Sequence, residues 1–560
     1  MSTPDGAREA LGVGYRAMKL SDAGSIVNAA VSLTGHAVTR AAEITHQGSK
    51  IDDHQVLSSA VAYSATEARA AKELHDAMAA LGTKCSPMLE RIALAGAAEL
   101  AASARDRLLP FLDDLGTSEA DVDGVYTANV RALMRNASKE SLIREIGVQV
   151  CAEKGHCDLP VEETLQQVRS SVRQFAETEV APKAEHIHRH DDLVPEELIR
   201  KMAEVGYFGL SVPEAYGGYE MGNLAMILTT EELSSASLAG AGSLITRPEI
   251  LAKALLAGGS EAQKKKWLPK IASGELMVGI SVTEPNIGSD VASLGCRAER
   301  RTVDGVNGFV LTGAKSWCTF AGRADILAVL ARTDPDTSKG AKGLSLFIVP
   351  KETSRGHDFS CKQPHGGAME GKADRTPGYR GMHSFTLSLE DYFVPAENLV
   401  GETNGEGRGF YLQMAGFAAG RLQTGGRACG VGQAALAKTA EYVSQRTQFK
   451  RAIVDFQLTQ YHLGRMAVKL SAARAITYAA ALAMDEDERR AAPLAAQAKL
   501  FSCDAAVQIA QAGQILHGGW GYAEEYAISR YVIDAQVLPI FEGVKPVLEL
   551  KVVARSLFGE

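Results

Sequence analysis

Paired cysteines are what this sequence most plainly lacks. Its eight cysteines, Cys85, Cys151, Cys157, Cys296, Cys318, Cys361, Cys429 and Cys503, include no CxxC pair. Neither a disulfide framework nor a zinc site is indicated, no metal is expected, and a reducing cytoplasm is the expected home. Apolar runs long enough to span a bilayer are missing too; stretches such as Ile326–Ala331 are core-sized. The opening MSTPDGAREALG has none of the blocks of a signal peptide. Positive charge is not in excess: Lys plus Arg is 59 against 67 for Asp plus Glu, a net charge of −8. A global nucleic-acid binder would lean the other way. What remains is 560 residues, 46% hydrophobic and 22% charged, the composition of an ordinary folded protein. A chain of that length divides into roughly three domains.

The texture along the chain gives the expected fold class: mostly α, with a central β domain. Residues 1–146 are rich in Ala, Leu, Glu and Arg, with apolar residues at helical spacing, and predict three or four helices in a bundle. Residues 147–160, with Gly155 and Pro160, are expected to be a linker. From 161 to 275 the pattern is helical again, as in Glu162–Val180, Glu196–Val205 and Glu261–Ala272. Short runs of β-formers then follow: Met277–Val282, Phe309–Thr312, Ile326–Ala331, Leu344–Val349 and Phe385–Leu389. The hairpin signal Asp304-Gly305 punctuates them, and a β domain is expected over 276–400. Residues 401–560 are helical to the end, Gly- and Ala-rich at first.

Two phosphate-loop look-alikes fail on context. In Gly308–Ser316, Ala314 separates the glycine from the lysine, and the preceding residues read as strand. Gly430-Val-Gly432-Gln-Ala-Ala435 has no strand before it, so a close-packed helix is the expectation. The informative segment is Ile280–Asp290, ISVTEPNIGSD, where a strand ends in hydroxyl residues and turns through Pro and Gly. Its composition suits a polar ring edge or a phosphate, but equally an ordinary turn. Glu542, in PIFEG, lies in an apolar stretch where burial would raise its pKa and its basicity. On residues alone it could as well be a turn glutamate.

The company these segments keep is distinctive. Trp317-Cys318-Thr319 follows a second strand; Arg446-Thr-Gln-Phe449 and Gln457 come later, then His517-Gly518-Gly519-Trp520 and Phe541-Glu542-Gly543. In this order and at these separations the set resembles the acyl-CoA dehydrogenase family of flavoproteins, over about residues 161–558. The resemblance implies a β domain between two helical domains, preceded here by an N-terminal helical extension. It implies FAD as cofactor, with Ile280, Val282 and Thr283 along the flavin edge, Trp317 over one face and Thr319 near N5. Ser289 would lie near the phosphate–pantetheine path of CoA or the flavin. Arg446, Phe449, Gln457, Gly518, Gly519 and Gly543 would contact FAD, several of them on a neighbouring subunit, so a homodimer or homotetramer is implied. Glu542 would take the α-proton of an acyl-CoA thioester while the β-hydride goes to flavin N5. An electron-transfer flavoprotein is the implied acceptor. The family's alternative base position is Gly420 here, before Arg421, and glycine takes no proton.

Departures narrow the expectation. Val544-Lys545-Pro546 follows Glu542-Gly543 where the family has hydroxyl and amide residues, and the N-terminal extension is unusual. Within the family this combination most resembles members acting on (2S)-methylsuccinyl-CoA, giving mesaconyl-CoA in the ethylmalonyl-CoA pathway; another short-branched or dicarboxylic thioester is the alternative. A dicarboxylic acyl group needs a buried cation, best an arginine. Arg247, directly after the small-residue segment Ser234–Thr246, is the candidate, with Arg421 at the CoA–acyl entrance and Arg375 and Arg380 less favoured. A DNA-associated flavoprotein on the same scaffold is disfavoured, because the C-terminal region carries no basic excess. Neither nucleic acid nor a membrane is an expected partner.

Overall fold

A computed structural model describes residues 18–559. The N-terminal extension contains three long helices, Leu20–Ile44, Gln55–Leu81 and Pro87–Leu108, and three shorter ones, Glu119–Val125, Ala128–Ala137 and Glu140–Ala152. Residues 1–17, part of the expected extension, lie outside the described residues. In Pro87–Leu108, Ile92, Leu94, Leu100 and Leu108 are buried as their spacing predicts, and Pro87 at the first helical position is capped by Ser86. Leu109, expected on the same face, falls past the helix end and is exposed.

The expected linker is half helix. Glu140–Ala152 runs through its first residues, and Gly147, the first residue of that linker, is a close helix contact. A Cβ on Gly147 would lie 1.8 Å from the Gln460 carbonyl oxygen, and one on Gly464 would lie 2.0 Å from that of Ile143. Two glycines facing each other let this helix and Gln457–Glu486 cross backbone to backbone. The extension thus shares one hydrophobic core with the C-terminal helices, Leu74 and Ile92 packing in the same cluster as Val468 and Leu470.

The helical segment 163–272 runs from Glu163–Phe175, through a π turn into Ala181–His190, to Glu261–Ala272. Gly222–Ala236, the helix at its centre, is buried on nearly every side. The eight-stranded sheet follows: β1 (Val278–Ser281), β2 (Arg297–Val303), β3 (Val306–Thr319), β4 (Ile326–Arg332), β5 (Leu344–Pro350), β6 (Asp358–Lys362), β7 (Ala368–Ala373) and β8 (Ser384–Pro395). Its order is β1-β4-β2-β3-β8-β7-β6, with β5 on the free side of β4. Asp304 and Gly305, both at positive φ, make the two-residue turn between β2 and β3, in the register Val303↔Val306. Both phosphate-loop look-alikes fall inside regular elements, Gly308–Ser316 in β3 and Gly430–Ala435 in the helix Gly409–Gln445. Three long helices, Gly409–Gln445, Gln457–Glu486 and Glu488–His517, then pack together before the short Ile528–Ala535. Across the domains, the buried Arg474 pairs with Glu231 at 2.6 Å, and Tyr478 donates to the same carboxylate at 2.7 Å. No helix among the described residues is long and apolar enough to cross a membrane.

Candidate active site

Glu542 sits in the irregular segment between Ile528–Ala535 and the short helix that begins at Lys545, with φ +55. That left-handed backbone is unusual for a residue with a Cβ and marks a position held by its surroundings. Glycine follows it, Gly543 at φ +105, whose carbonyl accepts from Lys499 Nζ. The carboxylate turns inward, 6% exposed, against the helix Gly409–Gln445. A Cβ on Gly420 would come within 3.1 Å of Glu542 Oε2, so this glycine makes room for the carboxylate.

Cations surround the carboxylate. Arg247, 6% exposed, begins the helix Thr246–Gly258, and its Nη1 reaches Glu542 Oε1 at 2.5 Å. Its Nη2 lies 3.4 Å from the Tyr379 hydroxyl, and its Nε is buried without a partner. Arg427, fully buried, lies with its guanidinium carbon 4.6 Å from the centre of the Phe541 ring. It donates to Thr424 at 2.6 Å and Ser243 at 3.2 Å, and its Nε too is unpartnered. Arg421 Nε is likewise buried and unpartnered. Asp534 is already committed, accepting the Tyr379 amide at 2.8 Å.

This ring overturns the expected direction of the Glu542 pKa. Burial pushes the carboxyl up, but Arg247, Arg427 and Lys499 together hold it below the ordinary glutamate value. Arg247 responds in kind: burial opposes its charge, while Tyr379 and Glu542 lift its pKa above the ordinary arginine range. Burial pulls Arg421 and Arg427 down, and Lys499 down to about 8. The buried groups around Glu542 carry positive charge in excess.

The residues expected at the flavin divide into two groups. On the rim of the sheet, Trp317 stands 58% exposed at φ +57, in the bulge between Lys315 and Cys318. Thr319 Oγ1 lies 3.1 Å from the Ser384 hydroxyl. Lys315, buried in β3, donates to the Val282 carbonyl and to Glu284, both at 3.0 Å, and so ties the loop after β1 to the sheet. Ile280, in β1, and Val282, just past its end, are both buried in the apolar cluster with Leu330 and Leu346. Thr283 is only partly buried, and Ser289 is exposed on the following loop. An uncovered indole beside a cluster of hydroxyls fits a flat ring with polar edges.

The second group faces outward. Arg446, Phe449 and Gln457 are exposed, Phe449 89% so, around the small hairpin Thr447–Gln448 and Arg451–Ala452. A Cβ on Gly518 or Gly519 would meet nothing within 4 Å. Arg446 borders a cleft of about 410 Å³ with His517, which stacks on Tyr442 at 4.2 Å. These residues fit a cofactor that reaches this surface from outside the protomer.

Arg380 stands apart from the acyl pocket. It pairs with Asp191 at 3.0 Å and donates to the His188 carbonyl at 2.8 Å. Arg427, Tyr379 and Lys499 belong to the site without having been foreseen. One signal was available: Arg427 and Lys499 are lone charges in Gly/Ala-rich helical sequence, where a fully buried face is expected.

Comparison with known proteins agrees with this arrangement. Three family models match: acyl-CoA dehydrogenase N-terminal domain over residues 162–275, middle domain over 279–392 and C-terminal domain over 407–558. The chain is 40% identical to a (2S)-methylsuccinyl-CoA dehydrogenase of Cereibacter sphaeroides, over 71% of this chain and 70% of that one. It is 38% identical to a mitochondrial 2-methylacyl-CoA dehydrogenase of Solanum tuberosum, over 71% and 92%. Among solved structures, a glutaryl-CoA dehydrogenase in complex with glutaryl-CoA is similar at TM-score 0.65 and 30% identity, covering 72% of this chain and 98% of that one. A chain from the electron transferring flavoprotein of Acidaminococcus fermentans is similar at TM-score 0.64 and 32% identity, covering 72% and 99%. The chain therefore belongs to the acyl-CoA dehydrogenase family and is an FAD-dependent oxidoreductase acting on acyl-CoA thioesters.

Proposed function

We propose that the enzyme oxidises (2S)-methylsuccinyl-CoA to mesaconyl-CoA, with Glu542 as the base. One observation carries the reading: Arg247, Arg421 and Arg427 are sunk around Glu542, each with a buried, unpartnered Nε. Leaving charged donors dry and unpaired is costly, so such a pocket is built for an anion that arrives with the substrate. A carboxylate at the far end of a short acyl chain supplies it; a saturated monocarboxylic acyl group leaves it unmet. The likeness to the Cereibacter enzyme supports the same substrate. Glutaryl-CoA and other short dicarboxylic or branched thioesters are the second reading, supported by the glutaryl-CoA dehydrogenase likeness.

Glu542 removes the α-proton from the thioester, and its left-handed backbone beside Gly543 turns the carboxylate inward. Arg247 and Arg427 orient the acyl chain from its distal end, and the buried walls exclude water. Trp317 and Thr319 would border the FAD, which when bound would supply the acceptor for the β-hydrogen as hydride. Arg446, Phe449, Gln457, Gly518 and Gly519 complete the cofactor site of a second subunit, which makes the working unit a homo-oligomer. An electron-transfer flavoprotein takes the electrons onward, a role the Acidaminococcus likeness supports. Anaerobic mixing with a panel of CoA thioesters tests the substrate: methylsuccinyl-CoA should bleach the flavin fastest. Faster bleaching by butyryl-CoA or glutaryl-CoA would assign another substrate.

A further inference from the structure

Arg247 has two anions to serve, and in this structure it is paired with Glu542. We infer that the substrate's distal carboxylate draws Arg247 off Glu542, so that the enzyme's base is released by the same group that marks the correct substrate. This rests on the dicarboxylic reading above and goes beyond it: Arg247 selects substrates in the chemical step as well as in binding.

The geometry supplies each part. Arg247 Nη1 lies on Glu542 Oε1 at 2.5 Å, so a carboxylate meant to take a proton is occupied by a permanent cation. Nη2 keeps only a 3.4 Å approach to Tyr379, and Nε has no partner. Part of the guanidinium fork is therefore free to receive a second carboxylate without first breaking a strong contact. Arg427 stands fixed behind, held by Thr424 and Ser243 and by the Phe541 face, and contributes charge without touching the base. Phe541 precedes Glu542 and packs edge-on against Tyr379 at 5.4 Å, so the base and both arginines share one wall.

The charged groups around Glu542 are Arg247 from the helix Thr246–Gly258, Arg421 and Arg427 from Gly409–Gln445, and Lys499 from Glu488–His517; of the titratable neighbours behind them, Tyr379 faces Arg247 and Arg427, and Cys503 faces Lys499 and Arg427. Of these, Arg247 bonds the carboxylate directly. When a diacid thioester enters, its carboxylate pairs with Arg247 and Arg427. Glu542 keeps its burial but loses its nearest cation, its pKa rises, and it becomes a stronger base toward the α-carbon. A proton balance follows. Below neutral pH, part of the Glu542 population must take a proton from solvent as the diacid binds. A monocarboxylic thioester leaves the pair closed and the base weak.

Calorimetry of the FAD-loaded enzyme with mesaconyl-CoA, near pH ~6 in two buffers of different ionisation enthalpy, reads this directly. The expected result is uptake of a fraction of a proton on binding, abolished in Glu542→Gln. Binding with no uptake, or the same uptake in Glu542→Gln, overturns the exchange while leaving the substrate assignment standing. Failure of mesaconyl-CoA to bind, where other acyl-CoA thioesters do, removes the dicarboxylic reading and the exchange with it. As a second arm, Arg247→Met should lower kcat/KM for methylsuccinyl-CoA by roughly a hundredfold, the scale of losing a desolvated charge pair. In the same variant kcat for butyryl-CoA should rise, since the base is freed. A proportional fall for both substrates would give Arg247 only a structural role.

Discussion

A carboxylate ringed by guanidinium groups carries its consequences in its titration. Because Arg247, Arg427 and Lys499 outweigh burial, Glu542 in the free enzyme ionises below the ordinary glutamate range. Its carboxylate form, the one the proposed role as base requires, therefore persists as pH falls through ~4.3, the reference glutamate pKa. The acid limb of kcat/KM for methylsuccinyl-CoA should lie below that value, and a limb near pH ~6 would show that the cations do not control the base. Lys499, which titrates at about 8, works in the opposite sense. Raising pH through 8 removes its charge from the pocket, and the neutral amine still donates to the Gly543 carbonyl. KM for a diacid thioester should climb across that pH while Glu542 remains ionised; a flat KM up to pH ~9.5 would contradict the assignment. Arg427→Met removes a buried charge that contacts no part of Glu542. It should raise KM for the diacid about tenfold or more, and its effect on butyryl-CoA should be far smaller.

Helix contacts decide how much of this is rigid. Gly147 and Gly464 let two helices meet at their backbones, and a methyl group on Gly464 would stand 2.0 Å from the Ile143 carbonyl oxygen. Gly464→Ala should cost ~1–3 kcal/mol, the range for overpacking a close contact. A lowered thermal midpoint with the extension turned protease-sensitive would register it; an unchanged midpoint would mean the crossing is looser than described. The extension also reaches the segment that follows the base. Tyr63 bonds Asp504, Lys545 pairs with the same carboxylate, and Ser59 donates to Glu549 at 2.8 Å. The Val544-Lys545-Pro546 departure thus has a structural use, since Lys545 ties the base's own segment to the extension. Sequence periodicity reached these elements unevenly. Glu261–Ala272 was legible because the Ser260 cap and the apolar spacing agree, and Glu196–Glu204 because Pro195 precedes a regularly spaced apolar face. β2, β6 and β7 were not: their alternation is mostly exposed and charged, as in the pattern of Arg297–Val303, and a half-polar strand carries little signal without its partners. Gly147 falls at the start of the expected linker because nothing local announces Gly464 opposite.

For the whole molecule, what was legible was order: helices, strands, helices, and a set of motifs at fixed separations. What was not legible was the charge of the pocket, since Arg247, Arg427 and Lys499 come together from helices far apart in sequence. The direction of the Glu542 pKa went wrong for that reason; an apolar neighbourhood in sequence was a cationic one in space. The outward-facing Arg446, Phe449, Gln457, Gly518 and Gly519 make a further prediction at this scale. Phe449→Ala should release FAD on dilution while leaving the protomer's thermal stability nearly unchanged, as measured by flavin fluorescence; full retention at nanomolar enzyme would remove the residue from the cofactor site. The most direct trial of Glu542 as base is single-turnover bleaching of bound flavin by methylsuccinyl-CoA under anaerobic conditions, wild type against Glu542→Gln. The variant should keep its flavin and slow by about a thousandfold or more, the upper range for losing a general base. A flavin-loaded variant bleaching at the wild-type rate would contradict the role given to this carboxylate.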